Sequence, residues 1–131
     1  MVNDNPLLPE TTTYWKIDDI FFIKHTNFFI TLEEAYAIGE LLKDAHRDKE
    51  TNAIVIDNRE AKGAWTQEVN KVWTEISMEI GNEIPKKVAT LTSDLVAAMQ
   101  INRLSRNNGA EKMSKAFCSG FDESVRAFLK E

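Results

Sequence analysis

Residues 12–17 and 20–26 are dense in β-branched and aromatic side chains, with Asp18 and Asp19 between them. Such runs joined by a two-residue turn predict a β-hairpin. The period of the apolar positions then changes. Thr31, Leu32, Glu33 and Glu34 form a capping box, in which the Thr hydroxyl accepts from a first-turn amide and Glu34 reaches back to the cap. A helix over 32–47 follows, with Ala35, Ile38, Gly39, Leu42 and Ala45 on one stripe. Ala53, Ile54, Val55, Ile56 and Asp57 make a short run that is apolar up to its last residue. Runs of this kind are strands buried on both faces of a parallel sheet.

The polar segment 58–63 contains Gly63 and predicts a loop. Trp65, Val69, Val72, Trp73, Ile76 and Ile80 recur at helical spacing, and Gly81 is a suitable terminator, so a helix is predicted over 65–80. Pro85 opens a strand over 87–91. Thr92, Ser93 and Asp94 cap a helix over 94–107, which Asn108 and Gly109 stop. A last strand is predicted over 112–117. Ser119 to Asp122 then cap a final helix ending near Leu129, with Phe121, Val125, Phe128 and Leu129 facing inward. The order β-β-α-β-α-β-α-β-α predicts a single α/β domain. Its sheet is mixed, mostly parallel and five-stranded, carries four helices, and has the opening hairpin as an antiparallel edge.

The chain has 131 residues, 43% hydrophobic and 28% charged, which suits one core in one domain. Residues 1–11, with Pro6 and Pro9, form a flexible lead-in, ordered only where it packs on a neighbour, and the domain is 12–131. The net charge of −5 disfavours nucleic acid and acidic lipid as partners. Lys86 with Lys87, and Arg103 with Arg106, are pairs rather than a basic run, and are expected to be solvated. Cys118 is a lone cysteine, so no internal disulfide is expected. There is no signal-peptide pattern and no membrane span, and a cytoplasmic location is expected.

In order and spacing the chain resembles the STAS fold of bacterial anti-sigma factor antagonists. It is closer to the uncharacterised bacterial SpoIIAA-like (STAS/SEC14-like) proteins. Residues 31–35, 53–57 with the loop that follows, and 87–91 carry the resemblance. So do Lys115 to Phe117, the segment 121–125, and Phe128 with Leu129. Together these span 14–129. The resemblance implies a regulatory module. The antagonists carry a phosphorylatable Ser or Thr in the loop after the central strand. Here that loop holds no Ser or Thr before Thr66, which falls inside the predicted helix, so the phosphoswitch is expected to be lost.

The chemistry available is sparse. His25 and His46 are far apart in sequence, and with Cys118 they give no metal-ligand spacing. Cys118 reads as a small buried or half-buried residue rather than a nucleophile. No G-x-S-x-G, G-x-G-x-x-G or Walker-type loop is present. Glu68, Glu75 and Glu79 read as solvated surface. Asp57 either caps its own turn or belongs to a site. Trp65 and Trp73, eight residues apart on one predicted helix, read as core, with Trp65 beside the loop. Phe21, Phe22, Phe28 and Phe29 form adjacent pairs of which alternation turns one outward. That surface must be covered by a helix, the lead-in or a second subunit, and so a homodimer is a reasonable expectation.

The candidate site is therefore the loop beyond the central strand: Asp57, Asn58, Arg59, Lys62 and Trp65. No catalytic residue, metal or cofactor is expected. The first functional reading is a non-enzymatic regulatory or protein-interaction module of SpoIIAA-like type without the phosphoswitch. The alternative is a carrier or sensor of a small apolar or anionic ligand at the 57–65 loop. An apolar cavity beneath the two tryptophans would favour the second, and a solid core with an exposed aromatic patch the first.

Overall fold

The computed structural model describes residues 6–81, 83, 86–107, 109–110 and 112–131. The expectations for residues 1–5, Pro85 and Asn108 lie outside the described residues. The elements are β1 (Thr12–Ile17), β2 (Ile20–His25), α1 (Leu32–Arg47), β3 (Ala53–Asp57), α2 (Gln67–Gly81), β4 (Lys87–Leu91), α3 (Leu95–Asn107), β5 (Ser114–Phe117) and α4 (Glu123–Lys130). The α/β class, the element order and the antiparallel edge hairpin are those the sequence predicts.

β2 ends at His25 and α2 includes Gly81, each one residue from the expected bound. The starts of α2, α3 and β5 differ as well, each for a local hydrogen bond. Thr66 Oγ1 accepts from Val69 N at 3.2 Å, so Thr66 caps α2 and Trp65 lies ahead of the helix rather than in it. Asp94 Oδ1 accepts from Val96 N at 2.9 Å and caps α3, which begins one residue later than expected. The Ala110 carbonyl accepts from Met113 N and Ser114 N, a turn that delays β5 to Ser114. The box at Thr31 is complete, with Glu34 N donating to Thr31 Oγ1 and Thr31 N to Glu34 Oε1.

The strands lie in the order β1-β2-β3-β4-β5. Each parallel step from β2 to β5 moves one place in the same direction. Right-handed crossovers in one direction put α1, α2 and α3 on one face of the sheet. Among the described helices α4 covers the other. Alternation sorts the strand residues accordingly. Phe21, Ile23 and Ile54 pack with Ile38, Leu41 and Ala45 of α1. Phe22, Val55, Ala89 and Leu91 pack with Val125 and Phe128 of α4. A third cluster joins Ala35 of α1 to Val69, Val72, Ile76 and Ile80 of α2. Complete burial of Phe21, Ile23 and Ile54 contributes about 1.5–3 kcal/mol each.

The two helices approach closely at Gly39, where a Cβ would collide with Ile76 Cδ1. Ahead of β1, Leu8 packs on the first cluster and Pro9 is buried. The aromatic pair of β2 is covered on both sides, since Trp15 stacks on Phe22 with centroids 5.4 Å apart and Phe121 meets it edge-on. Phe29 is the residue left outside, 70% exposed. No helix among the described residues is long and apolar enough to cross a membrane.

Candidate functional site

The five loop residues singled out by sequence do not form one cluster. Asp57 continues the α4 side of β3, and Arg59 clamps it there. Arg59 Nε donates to Asp57 Oδ1 and Nη2 to Oδ2, both at 2.9 Å, while Arg59 N donates to Oδ1 at 3.1 Å. Burial alone would raise the Asp57 carboxyl, but the Arg59 bonds outweigh it and hold the group below the usual carboxylate range. Arg59 lies against the β5–α4 loop, with Nη1 2.7 Å from where a Cβ on Gly120 would stand. Asp57 is thus both turn cap and ion-pair partner. Lys62 serves through its backbone, its carbonyl accepting from Phe28 N and its N–H donating to Thr26 O.

Asn58 and Trp65 face the opposite way. Between the sheet and α1, α2 and α3 lies a cavity of about 540 Å³, lined by both. The register shows why they meet there. Lys24 pairs with Asp57, so the next positions, His25 and Asn58, stand side by side at the carboxyl ends of β2 and β3. Their parity puts them on the face of Ile23 and Ile56.

The walls are mostly apolar, among them Ile54, Ile56, Val88, Ile76, Ile80 and Ile101. Ser77 and Leu104 line the cavity and are also exposed, so it opens to solvent between α2 and α3.

The carboxyl-end wall is aromatic and polar. Trp65 packs edge-on to His25 at 5.4 Å and to Trp73 at 5.2 Å between centroids, and tilts over Phe28 at 4.3 Å. His25 is 3% exposed and shares a 2.9 Å hydrogen bond between Nδ1 and Thr12 Oγ1. Burial lowers its pKa to about 4, so the imidazole is neutral at pH 7. Among the described residues two buried polar side-chain atoms have no hydrogen-bond partner: Asn58 Oδ1, an acceptor, and Trp73 Nε1, a donor. An unpaired buried polar atom costs about 1–3 kcal/mol.

The amino-end wall holds the cation. Lys86 Nζ donates to the Asp48 carbonyl at 2.5 Å and the Ala45 carbonyl at 3.4 Å, closing the C-terminal turn of α1. It is therefore not the solvated charge the sequence suggested. Burial lowers its pKa. Beside it, His46 Nδ1–H donates to the Leu42 carbonyl at 3.1 Å, and its pKa too is lowered, chiefly by burial.

Cys118 is exposed, against the expectation of burial, because it follows β5 into the open loop before α4. Among the described residues no group of three His, Cys, Asp or Glu side chains is placed to hold a metal ion.

Sequence reasoning missed His25, Trp73 Nε1 and Lys86 as cavity groups. His25 was reachable by counting, since it shares its face with Phe21 and Ile23. The other two depend on where α2 and the α1 terminus settle on the sheet.

No family model matches the sequence, and no curated protein matches it. Two solved structures of DspI from Pseudomonas aeruginosa are similar to it. One has a TM-score of 0.43 at 11% identity, over 63% of this chain and 38% of that one. The other has a TM-score of 0.44 at 10% identity, over 65% and 42%. The chain spans less than half the length of either.

Proposed function

We propose that this chain is a non-enzymatic binding module that holds a small, largely apolar molecule between its sheet and helices α1 to α3. The observation that carries this reading is the cavity of about 540 Å³ with mostly apolar walls, two of whose lining residues hold a buried polar atom without a partner, Asn58 Oδ1 and Trp73 Nε1. Small-molecule sites are concave, mainly hydrophobic, roughly 300–1,000 Å³ in volume, and fix their ligand with a few polar groups. A core meant only to be solid would not leave this volume open or those atoms unpaired. The SpoIIAA-like relationship belongs to the same proposal and is supported by the element order.

A second reading, association with a protein or a second copy, rests on Leu95, Val96 and Met99. These lie on α3 and are each more than 60% exposed. Native mass spectrometry of protein purified from its source tests both. Retained mass that dissociates on mild activation supports the ligand reading. A dimer mass supports the second. A bare monomer counts against both.

A further inference from the structure

Resting on the ligand reading just given, we infer that the ligand is an anionic amphiphile of the fatty-carboxylate class. Its head lies against Lys86 Nζ at the amino-end wall, and its tail runs along the apolar floor of the sheet.

The permanent charge of the cavity has one sign. Among the described lining residues Lys86 is the one permanent cation, and none is an Asp or Glu. Lys86 Nζ donates to the Asp48 and Ala45 carbonyls. An ammonium has three N–H donors, so one is left over. The carbonyls also leave most of the charge in place, since a helix C-terminus carries only about half an elementary negative charge. The Asp48 carboxylate attracts Lys86 from outside the lining. It is already bonded to Lys16 at 3.1 Å, Thr51 at 2.8 Å and the Glu50 N–H at 3.1 Å. Among the described residues Lys86 has no ion-pair partner of its own.

The ammonium is held at the cavity rather than beside it. Its two carbonyls belong to the last turn of α1 and its cap, and Leu42 and His46 of that end of α1 line the cavity too. The helices run antiparallel to the strands, so the end of α3 brings Ser105 to the same edge. Ser114 opens β5 in register with Val88, two residues beyond Lys86. Both serines line the cavity, and their hydroxyls are able to donate to an anion. Partial burial disfavours the Lys86 charge, and an anion in contact with it offsets that cost.

Head groups differ accordingly. A carboxylate gains a charge-assisted bond, roughly twice as strong as a neutral one. An alcohol takes the spare donor without the Coulomb attraction. An ammonium meets a like charge and no described carboxylate in the lining. The tail then lies between Ile54, Ile56 and Val88 on the sheet and Ile76 on α2, toward the two tryptophans.

The test is isothermal titration of the intact chain at pH 7.5 with octanoate, 1-octanol and octylamine. Octanoate is expected to bind at least threefold more tightly than 1-octanol and at least tenfold more tightly than octylammonium. Lys86→Met, which keeps the stem and removes the charge, is expected to weaken octanoate fivefold or more and to leave 1-octanol within twofold. Octylammonium or 1-octanol binding as tightly as octanoate would overturn the inference while leaving the cavity a binding site. So would a folded Lys86→Met chain that holds octanoate as tightly as wild type. If none of the three binds, the ligand reading fails and the inference with it. The wild-type series decides the matter even if the variant does not fold.

Discussion

Trp65 and Trp73 stand edge to face with ring centroids 5.2 Å apart, although one precedes α2 and the other lies two turns inside it. The contact fixes the angle at which the 57–65 loop meets the helix, and it roofs the carboxyl end of the cavity. Replacing Trp65 by Ala removes ring contacts to His25, Phe28 and Trp73 together. The expected loss is about 2–3 kcal/mol, less than for a fully buried tryptophan because Trp65 is half-buried. Urea denaturation followed by circular dichroism measures it, and a loss under about 0.5 kcal/mol would mean that the roof is not a packing contact.

Trp73→Phe carries the opposite expectation. It deletes a buried donor that has no partner, so the relief offsets most of the lost packing. Stability should change by less than about 1 kcal/mol. The same denaturation experiment checks this, and a loss of several kcal/mol would show that the indole N–H is paired.

His25 sets a pH dependence. Its folded-state pKa is lowered to about 4 by burial, against about 6.5 when unfolded. The unfolded chain therefore binds the proton first as the pH falls. Stability is complete above about pH 6.5, declines between about 6.5 and 4, and levels off for this group below that. The expected fall from pH 7.5 to 4.5 is about 2–3 kcal/mol. His46 is shifted in the same direction, chiefly by burial, and so also favours the folded state less as the pH falls. Asp57 and Asp122, lowered by their partners, lose their contributions only at more acidic pH. Denaturant midpoints across this range should show the decline in wild type and a clearly flatter one in His25→Gln.

Asp57→Asn separates the two faces of the sheet. It breaks the paired bonds from Arg59, with an expected cost of about 1–2 kcal/mol, discounted because Arg59 is largely exposed. The Asp57 side chain lies on the α4 side, so affinity for a small apolar probe of the cavity should stay within twofold of wild type. A tenfold loss of binding would place Asp57 in the site after all.

Gly63→Ala tests the loop backbone. Gly63 has φ of +83°, and a Cβ there would approach the Phe29 ring to 2.7 Å. Left-handed backbone costs a non-glycine residue about 1–2 kcal/mol, and a melting point lowered by several degrees is the expected reading.

The fold was legible in the sequence because each element announces itself locally. The Thr31 box, the run at 53–57 and the stripes of α1 and α2 are periodic or capped signals that tertiary packing only has to respect. The site was legible in part. Asn58 and Trp65 could be placed at a strand end, but Asp57 and Arg59 differ from them by face, and face at a strand end follows a parity that the loop soon breaks. Trp65 was assigned to α2 because its spacing fits the stripe; the Thr66 hydroxyl ends the helix one residue short of it. Lys86 looked like surface charge because its partners are carbonyls thirty-eight and forty-one residues earlier in the chain.

The sequential strand order also bears on how the molecule assembles. Every strand pairs with the one made just before it. A chain emerging from the ribosome thus finds its docking edge ready at each step, beginning with the hairpin, which needs only local closure. The α2 wall of the cavity is made when its helix settles on α1, but the opposite wall waits for α3 and β5. Until the last third of the chain has been synthesised, the pocket stands open as a groove.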